Sequence, residues 1–426
     1  MAYFELLPNE ILENIFQYMN FKNRRKLSPV CTRWNNVLFS DQYLRKNVVF
    51  HIDGCRMLDA KMILTRTYPA LSLKVDNQFS NEMLKNLRLI NSFSPKPTFL
   101  RLENRNADHH LGWILDGVFF SLEDVTQLHL LGTCKTERGV CFVLLNNLKV
   151  LKIEAVHVEF FRVGAPNLTE LQVLVRSEDH MDLLHQFADQ LTKLTAVFDS
   201  KDGYYFYNLK FPQLTDLTVE RSLKGMIKSE QDISIAFFRR LKQLTKLRLS
   251  FKFIDSYVMQ EIYESVPNLV ELQLEVCEGT IELSNISKLI HLKKLTIAAE
   301  KVNLLNTKPP NLKHLTLGSA ITGAGTFVYA FENIMLLDNL RSLTLHNVKF
   351  YPEVLKLTPT YNVVTMSITH YKRLLENHLQ IIVKRFPALQ HLKIADCPGF
   401  TQREIDKIKR MNPRMFISFD EVRFQL

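Results

Sequence analysis

The sequence predicts an α/β chain in which a short helical block leads into a long solenoid. In the solenoid, parallel strands line a concave face and mostly helices cover the convex one. Three observations predict it. A dense apolar block with helical spacing occupies residues 7–38, and a six-residue strand pattern recurs twelve times from residue 125 onward. Ahead of at least one recurrence stands a helical stripe: Leu375, Leu379, Ile382, Val383 and Phe386.

Composition narrows the class. The chain has 426 residues, 46% of them hydrophobic, which is enough for several domains or one extended array of repeats. A net charge of +10 is modest at this length and reads as a solvated basic exterior, so no nucleic-acid partner is expected. Short runs such as Lys22–Lys26 and Lys407–Arg410 read as charged helix faces. The six cysteines are scattered without a C-x-x-C pair, and the N-terminus offers no apolar signal run. Reduced thiols, and a cytoplasmic or nuclear location, are the expectation. No stretch approaches the ~20 apolar residues that a membrane span requires.

The N-terminal block comes first. At ~100° per residue from Ile11, the positions Leu12, Ile15, Phe16, Tyr18 and Met19 cover an arc of roughly 160°. That is wide for a helix touching one neighbour. Pro8 suits the first turn, and Glu10 complements the positive end of the helix. Ser28 and Pro29 predict the N-cap and first residue of a later helix, on which Val30, Cys31, Trp34, Val37 and Leu38 form one stripe. Segments of ~40 residues seldom fold unaided, so the surplus apolar surface needs a cover. The repeats or another protein can supply it.

The repeats come next. The pattern apolar-x-x-apolar-x-apolar begins at Val125, Leu148, Leu168, Leu191, Leu214, Leu244, Leu269, Leu292, Leu312, Leu340, Val363 and Leu389. Successive starts lie 20 to 30 residues apart, 24 on average. Weaker copies stand at Ala70–Val75, at Pro97–Leu102 and at Arg414–Phe419, for about 13–15 repeats in all. Pro-Asn-Leu precedes three of the strands, at Pro166, Pro267 and Pro310. Each L-x-L is a short strand with alternate residues facing inward. A strand and helix of ~24 residues cannot bury a core alone, so neighbours must stack.

These residues carry two resemblances. The twelve segments resemble the leucine-rich-repeat family over about 350 residues. That family places Asn or Cys three residues after the last strand apolar; Cys277 and Cys397 match, whereas Val348 and Arg105 do not. "LPNEILENIFQYMNFKNRRKLSPVCTRW" (7–34), trailed by "SDQYL" at 40–44, resembles an F-box. The boundaries read as F-box 1–45 and repeat solenoid 46–426.

The F-box resemblance implies a three-helix module that docks on a Skp-type adaptor, itself joined to a cullin and a RING subunit. Leu7, Pro8, Ile11, Leu12, Ile15 and Phe16 would face the adaptor, with Val30, Cys31 and Trp34 completing that surface or the module's core. Where the family often has Asp-Leu this chain has Asn23-Arg24; Asn23 can still cap a helix, but Arg24 removes an apolar contact. The implied function is substrate receptor of an SCF-type ubiquitin ligase, binding a protein target through the repeats. Two alternatives stand beside it: a scaffold that binds the adaptor without ubiquitin transfer, whose F-box looks the same in sequence, and a ligand sensor, which needs convergent basic residues on the strands.

Catalytic chemistry is not found. "GSAITGAGT" (Gly318–Thr326) has Ala324 where a phosphate-binding loop needs Lys and reads as a turn between repeats. Asp108–His110 lacks further metal ligands at motif spacing, and His157-x-Glu159 lacks the rest of a deaminase signature. No enzyme activity, cofactor or metal is expected. "GYYFYN" (Gly203–Asn208) could extend past the rim, although clustered Tyr and Phe usually pack in a core.

The residues between the inward leucines should line the concave wall. Across the middle they alternate in sign: Asp216 and Glu220, Lys246 and Arg248, Glu271 and Glu275, then Lys294. That argues against an anion pocket there. Farther on they are uncharged and hydrogen-bonding: His314, Thr316, Ser342, Thr344, His346, Thr365, Ser367 and Thr369. A partner can approach such a surface at little desolvation cost, so these eight are the candidate target-binding residues.

Overall fold

The computed structural model describes residues 7–40, 49–53, 70–75, 97–104, 124–132, 141–155, 161–176, 178–199, 206–221, 235–319, 325–349, 361–371, 376–397 and 401–420. The readings at Leu375, 41–44, Arg105, 108–110, 157–159, 204–205 and 320–324 lie outside them. The chain divides into two compact units, Met1–Leu174 and Val175–Leu426.

The first unit opens with three helices: α1 (Asn9–Phe16), α2 (Phe21–Leu27) and α3 (Thr32–Leu38). Parallel strands β1 (Phe50–Asp53), β2 (Ala70–Val75), β3 (Phe99–Asn104), β4 (Gln127–Gly132), β6 (Val150–Ala155) and β8 (Glu170–Val175) then pair in that order. A separate parallel pair joins β5 (Cys141–Leu144) to β7 (Phe161–Gly164).

The second unit continues the plan. Its parallel sheet runs β9 (Lys193–Phe198), β10 (Asp216–Arg221), β11 (Lys246–Phe251), β12 (Glu271–Glu282), β13 (Lys294–Asn303) and β14 (His314–Gly318). It goes on through β16 (Ser342–His346), β18 (Thr365–Thr369), β19 (His391–Ala395) and β20 (Phe416–Asp420). Every sequence-predicted strand is therefore present. The connections differ in kind. They include α4 (Glu178–Phe187), α5 (Ile235–Arg239), α6 (Ser256–Ser265), α7 (Glu376–Arg385) and α8 (Gln402–Met411), but 3-10 turns at Ile286–Lys288 and Phe331–Leu336. No helix among the described residues is long and apolar enough to cross a membrane.

Registers are in phase because every copy presents the same inward pair. Leu247, Leu272, Leu295, Leu315 and Leu343 stand side by side, as do Leu249, Leu274, Ile297, Leu317 and Leu345, each at most 2% exposed. The Asn of the strand lead-in locks one repeat to the last. Asn167, Asn268, Asn311 and Asn339 each donate from Nδ2 to a main-chain carbonyl, on Asn146, Lys242, Ile290 and Pro310, at 2.6–3.0 Å. These bonds lie in solvent-exposed turns and tie each repeat to the one before it. They also explain how the sheet tolerates an incomplete Asn/Cys position on the far side. There, Cys397 meets the expectation, its buried thiol lying 3.3 Å from the Ala395 carbonyl. Burial pushes that thiol's pKa up, which keeps it a donor.

Two features were absent from the sequence reading. The strands β12 and β13 are long, and their C-terminal halves pair again after a register shift between Val276 and Thr280. With β15 (Thr326–Tyr329) and β17 (Val348–Lys349) they form a second parallel ladder. Gly279, at φ +97, makes the bend; a Cβ there would sit 3.1 Å from the Phe253 ring.

The aromatic segment near residue 206 is corrected. Phe206 and Tyr207 are 0% and 4% exposed and pack among Phe198, Phe211 and Phe237, so this part is core rather than a rim projection. Truncating Phe206 to Ala should lower stability by about 3–5 kcal/mol, read as a fall in the urea midpoint with little change in slope.

Candidate functional site

The helical module presents a built apolar surface. In α1 the wide arc splits into two stripes. Leu12 and Phe16, 0% and 2% exposed, turn inward against Val37 and Leu38, with Leu7, Met19, Leu27 and Trp34 packed around them. Ile11, Ile15 and Tyr18, at 44%, 39% and 87%, turn outward. Pro8 is exposed and Leu7 half-buried. The expectation for Leu12 and Phe16 is thus corrected: both belong to the module's own core, because three short helices have no other apolar centre. Trp34 is half-buried, its ring edge-on to Phe16 at 5.2 Å, and acts with the core. Val30 and Cys31 are exposed ahead of α3.

Local capping differs from the sequence reading in three places. Pro8 is the N-cap of α1 rather than its first residue. Asn20, not Asn23, caps α2, accepting from the Asn23 amide at 2.9 Å. Ser28 ends α2, and α3 starts at Thr32 with the Cys31 sulfur as cap, 3.4 Å from the Trp34 amide. The turn at 28–31 places Val30 outside the helix that its spacing suggested.

Arg24 also differs. It does not stand in a docking surface in place of an apolar contact but is 3% exposed within the module. Its guanidinium donates to the carbonyls of Phe16, Met19 and Leu38, the latter from Nη1 at 2.7 Å. Phe16 and Leu38 are the last residues of α1 and α3, whose carbonyls carry negative partial charge. One fork therefore ties two helix ends together. Arg33 similarly pins the N-terminal turn, donating to Asn9 Oδ1 at 3.0 Å and to the Leu7 carbonyl.

The second candidate surface is the outward face of the unit-two sheet. The register aligns Asp216, Lys246, Glu271 and Lys294 along one row, so signs alternate between neighbours. Arg248 lies 3.4 Å from Glu220, and Lys294 lies 4.0 Å from Glu271. Asp216, Lys246, Arg248, Glu271 and Lys294, with Thr218, Gln273 and Thr296, line a depression of about 190 Å³. Its cations face carboxylates on adjacent strands, an arrangement that lowers the local potential.

Beyond it the eight candidate residues do come together. His314, Ser342 and Thr365 form one row; Thr316, Thr344 and Ser367 form the next; His346 and Thr369 form the third. All eight are exposed or half-buried. His346 Nδ1 is 2.8 Å from Thr369 Oγ1, and its ring stacks 4.5 Å from that of His370. His370 Nε2 in turn lies 3.4 Å from Asp396 Oδ2. Burial, then the neighbouring His370, holds the His346 pKa below its usual value, so the ring is neutral at pH 7. The sequence reading missed His370 and Asp396. Both directly follow strands and adopt positive φ, 57° and 53°, a conformation that stacks them at the exit of successive repeats. Equivalent position after each strand was the available signal. Among the described residues no group of three His, Cys, Asp or Glu side chains is placed to hold a metal.

Comparison with known proteins adds the following. Residues 4–46 match the F-box domain family. No curated protein matches the chain. Among solved structures, the yeast complex of Rad7 and Elc1 matches with 15% identity and a TM-score of 0.42, covering 96% of this chain and 92% of that one.

Proposed function

We propose that the chain is the substrate-recognition subunit of an SCF-type cullin-RING ubiquitin ligase. In this reading residues 46–426 form a leucine-rich-repeat solenoid that holds a protein target, and the F-box docks on a Skp-type adaptor. The observation that carries the reading is the F-box match at 4–46 together with the outward stripe of Ile11, Ile15 and Tyr18. An apolar stripe on a solvent-facing helix costs solubility unless a partner covers it.

The receptor contributes no reacting group. It raises the effective concentration of a target lysine near a charged conjugating enzyme, and this is catalysis by proximity alone. The expected compartment is cytoplasm, nucleus or both. Affinity purification of the full chain from cells with the proteasome blocked tests the proposal. The expected result is the adaptor, a cullin and a RING subunit in stoichiometric amounts. Adaptor without cullin would favour a scaffold role, and neither would sink the reading.

The target is proposed to dock on the eight-residue polar patch. The double substitution Thr316→Glu plus Thr344→Glu places two charges side by side in its central row. Target half-life in cells should then rise several-fold while adaptor capture stays unchanged. Unaltered turnover would move the docking site to another surface.

A further inference from the structure

The outward face of the unit-one sheet holds a cluster that the proposed function does not use. The register places Arg101 on β3, His129 on β4 and Lys152 on β6 as direct neighbours on one face. Strands neighbour one another at about 4.8 Å, so three groups able to carry positive charge are set in a row. Like charges placed directly opposite destabilise a sheet. The row therefore carries a repulsion that Glu103, paired with Arg101 at 3.6 Å, offsets only in part.

Two atoms in the row are also unsatisfied. Arg101 Nε and His129 Nε2 are buried and make no hydrogen bond among the described residues. Arg101 Nη2 forms an ion pair with Glu103 Oε2 at 3.6 Å, which offsets part of its charge but leaves Nε without a partner among the described residues. His129 touches the Phe99 ring edge-on at 4.8 Å. Lys152 has no hydrogen bond or ion pair among the described residues. Other charged groups sharing the face are Lys74 on β2, Glu103 on β3, Glu154 on β6 and Glu170 on β8. All of them stand outside the central row. Inside it, Ser72 and Gln172 flank the three basic residues.

We infer that Arg101, His129 and Lys152 form a binding site for a single oxyanion, a carboxylate or a phosphate group. An oxyanion offers several lone pairs and matches the fork of Arg101. It would satisfy the orphaned nitrogens and cancel the repulsion along the row. The state of His129 fits this assignment. Its pKa is lowered to about 4 by burial, then by Lys152 and Arg101. A bound anion opposes the electrostatic part, so binding raises the His129 pKa and favours its protonated form.

The test uses the full chain with ¹³C-labelled histidine, the His129 ring signal being identified by its loss in His129→Gln. At about pH 5.5 the free ring is almost wholly neutral. Inorganic phosphate and acetate are titrated separately, against chloride at matched ionic strength, because salt alone screens the two cations. The expected result is a saturable movement of the His129 signal toward the imidazolium position with phosphate, acetate or both, and little with chloride. The stronger of the two identifies the preferred group. Arg101→Gln and Lys152→Gln should each raise the anion-free pKa of His129 and weaken the anion response by about ten-fold or more. Lys152→Gln alters a half-buried side chain at the other side of His129 and keeps the test valid if Arg101→Gln misfolds. Identical behaviour in phosphate, acetate and chloride would overturn the inference, as would an undiminished response in Lys152→Gln.

Discussion

Replacing Ile11 and Ile15 together by Asp abolishes adaptor capture, with affinity falling by at least about a hundred-fold, while the module keeps its fold. The estimate follows from two apolar anchors worth about 2 kcal/mol each on truncation, at 1.4 kcal/mol per ten-fold. Asp adds the cost of burying a charge in the interface. The fold survives because both side chains are already exposed, at 44% and 39%, and neither is among the buried residues of the module's core. Binding of the purified full chain to a purified Skp-type adaptor, by calorimetry, measures it. Leu12→Ala is the contrasting control. It should lose binding too, but through loss of the module's own core and with a lower melting temperature. Undiminished affinity in the Ile11/Ile15 variant would remove the outward stripe from the docking surface.

Arg24→Ala unfolds the helical module. The substitution withdraws donors from three main-chain carbonyls at Phe16, Met19 and Leu38, in a site only 3% exposed. Hydrogen bonds from a charged group contribute about 1.5–3 kcal/mol each, and buried acceptors left without partners add to the loss. A total of about 3 kcal/mol or more exceeds what so small a core can spare. Hydrogen exchange of the amides in residues 9–38 should rise toward the unfolded rate, with the amides of β12 and β13 unaffected. Arg24→Lys should recover only part of the protection, since an ammonium cannot span carbonyls on two helix ends with a planar fork. Full protection in Arg24→Ala would show that packing of Leu12, Phe16, Val37 and Leu38 suffices.

Both predictions rest on contacts between segments that a linear reading does not show, unlike the strands. The strand positions were legible because their signal is local and repeated. An inward leucine at every second position fixes a strand's faces, and an identical pair in each copy fixes its register with the next. The polar patch from His314 to Thr369 was legible for the same reason: once inward positions are set, the residues between them share the outer face. The Asn of the lead-in was visible as a recurrence, but its role was not, because its acceptor lies in the preceding repeat, 21 to 29 residues away.

The helical module behaves otherwise. Sequence alone marked α1 as apolar over a wide arc, yet it could not say which stripe is core and which is surface. Leu12–Phe16 and Ile11–Ile15 have the same spacing and nearly the same hydrophobicity. Only the placement of α3 against one side decides, since Val37, Leu38 and Trp34 cover that side and leave the other bare. Arg24 was misread for a related reason. A cation in a basic run reads as part of a charged helix face unless helix-end carbonyls converge on it, and they come from residues 8 before and 14 after it. Periodicity within one segment thus determined the strands, their faces and their neighbours. Contacts between segments, invisible to any local pattern, decided which apolar surface is buried, which polar groups are satisfied and which nitrogens on the first sheet have no partner among the described residues.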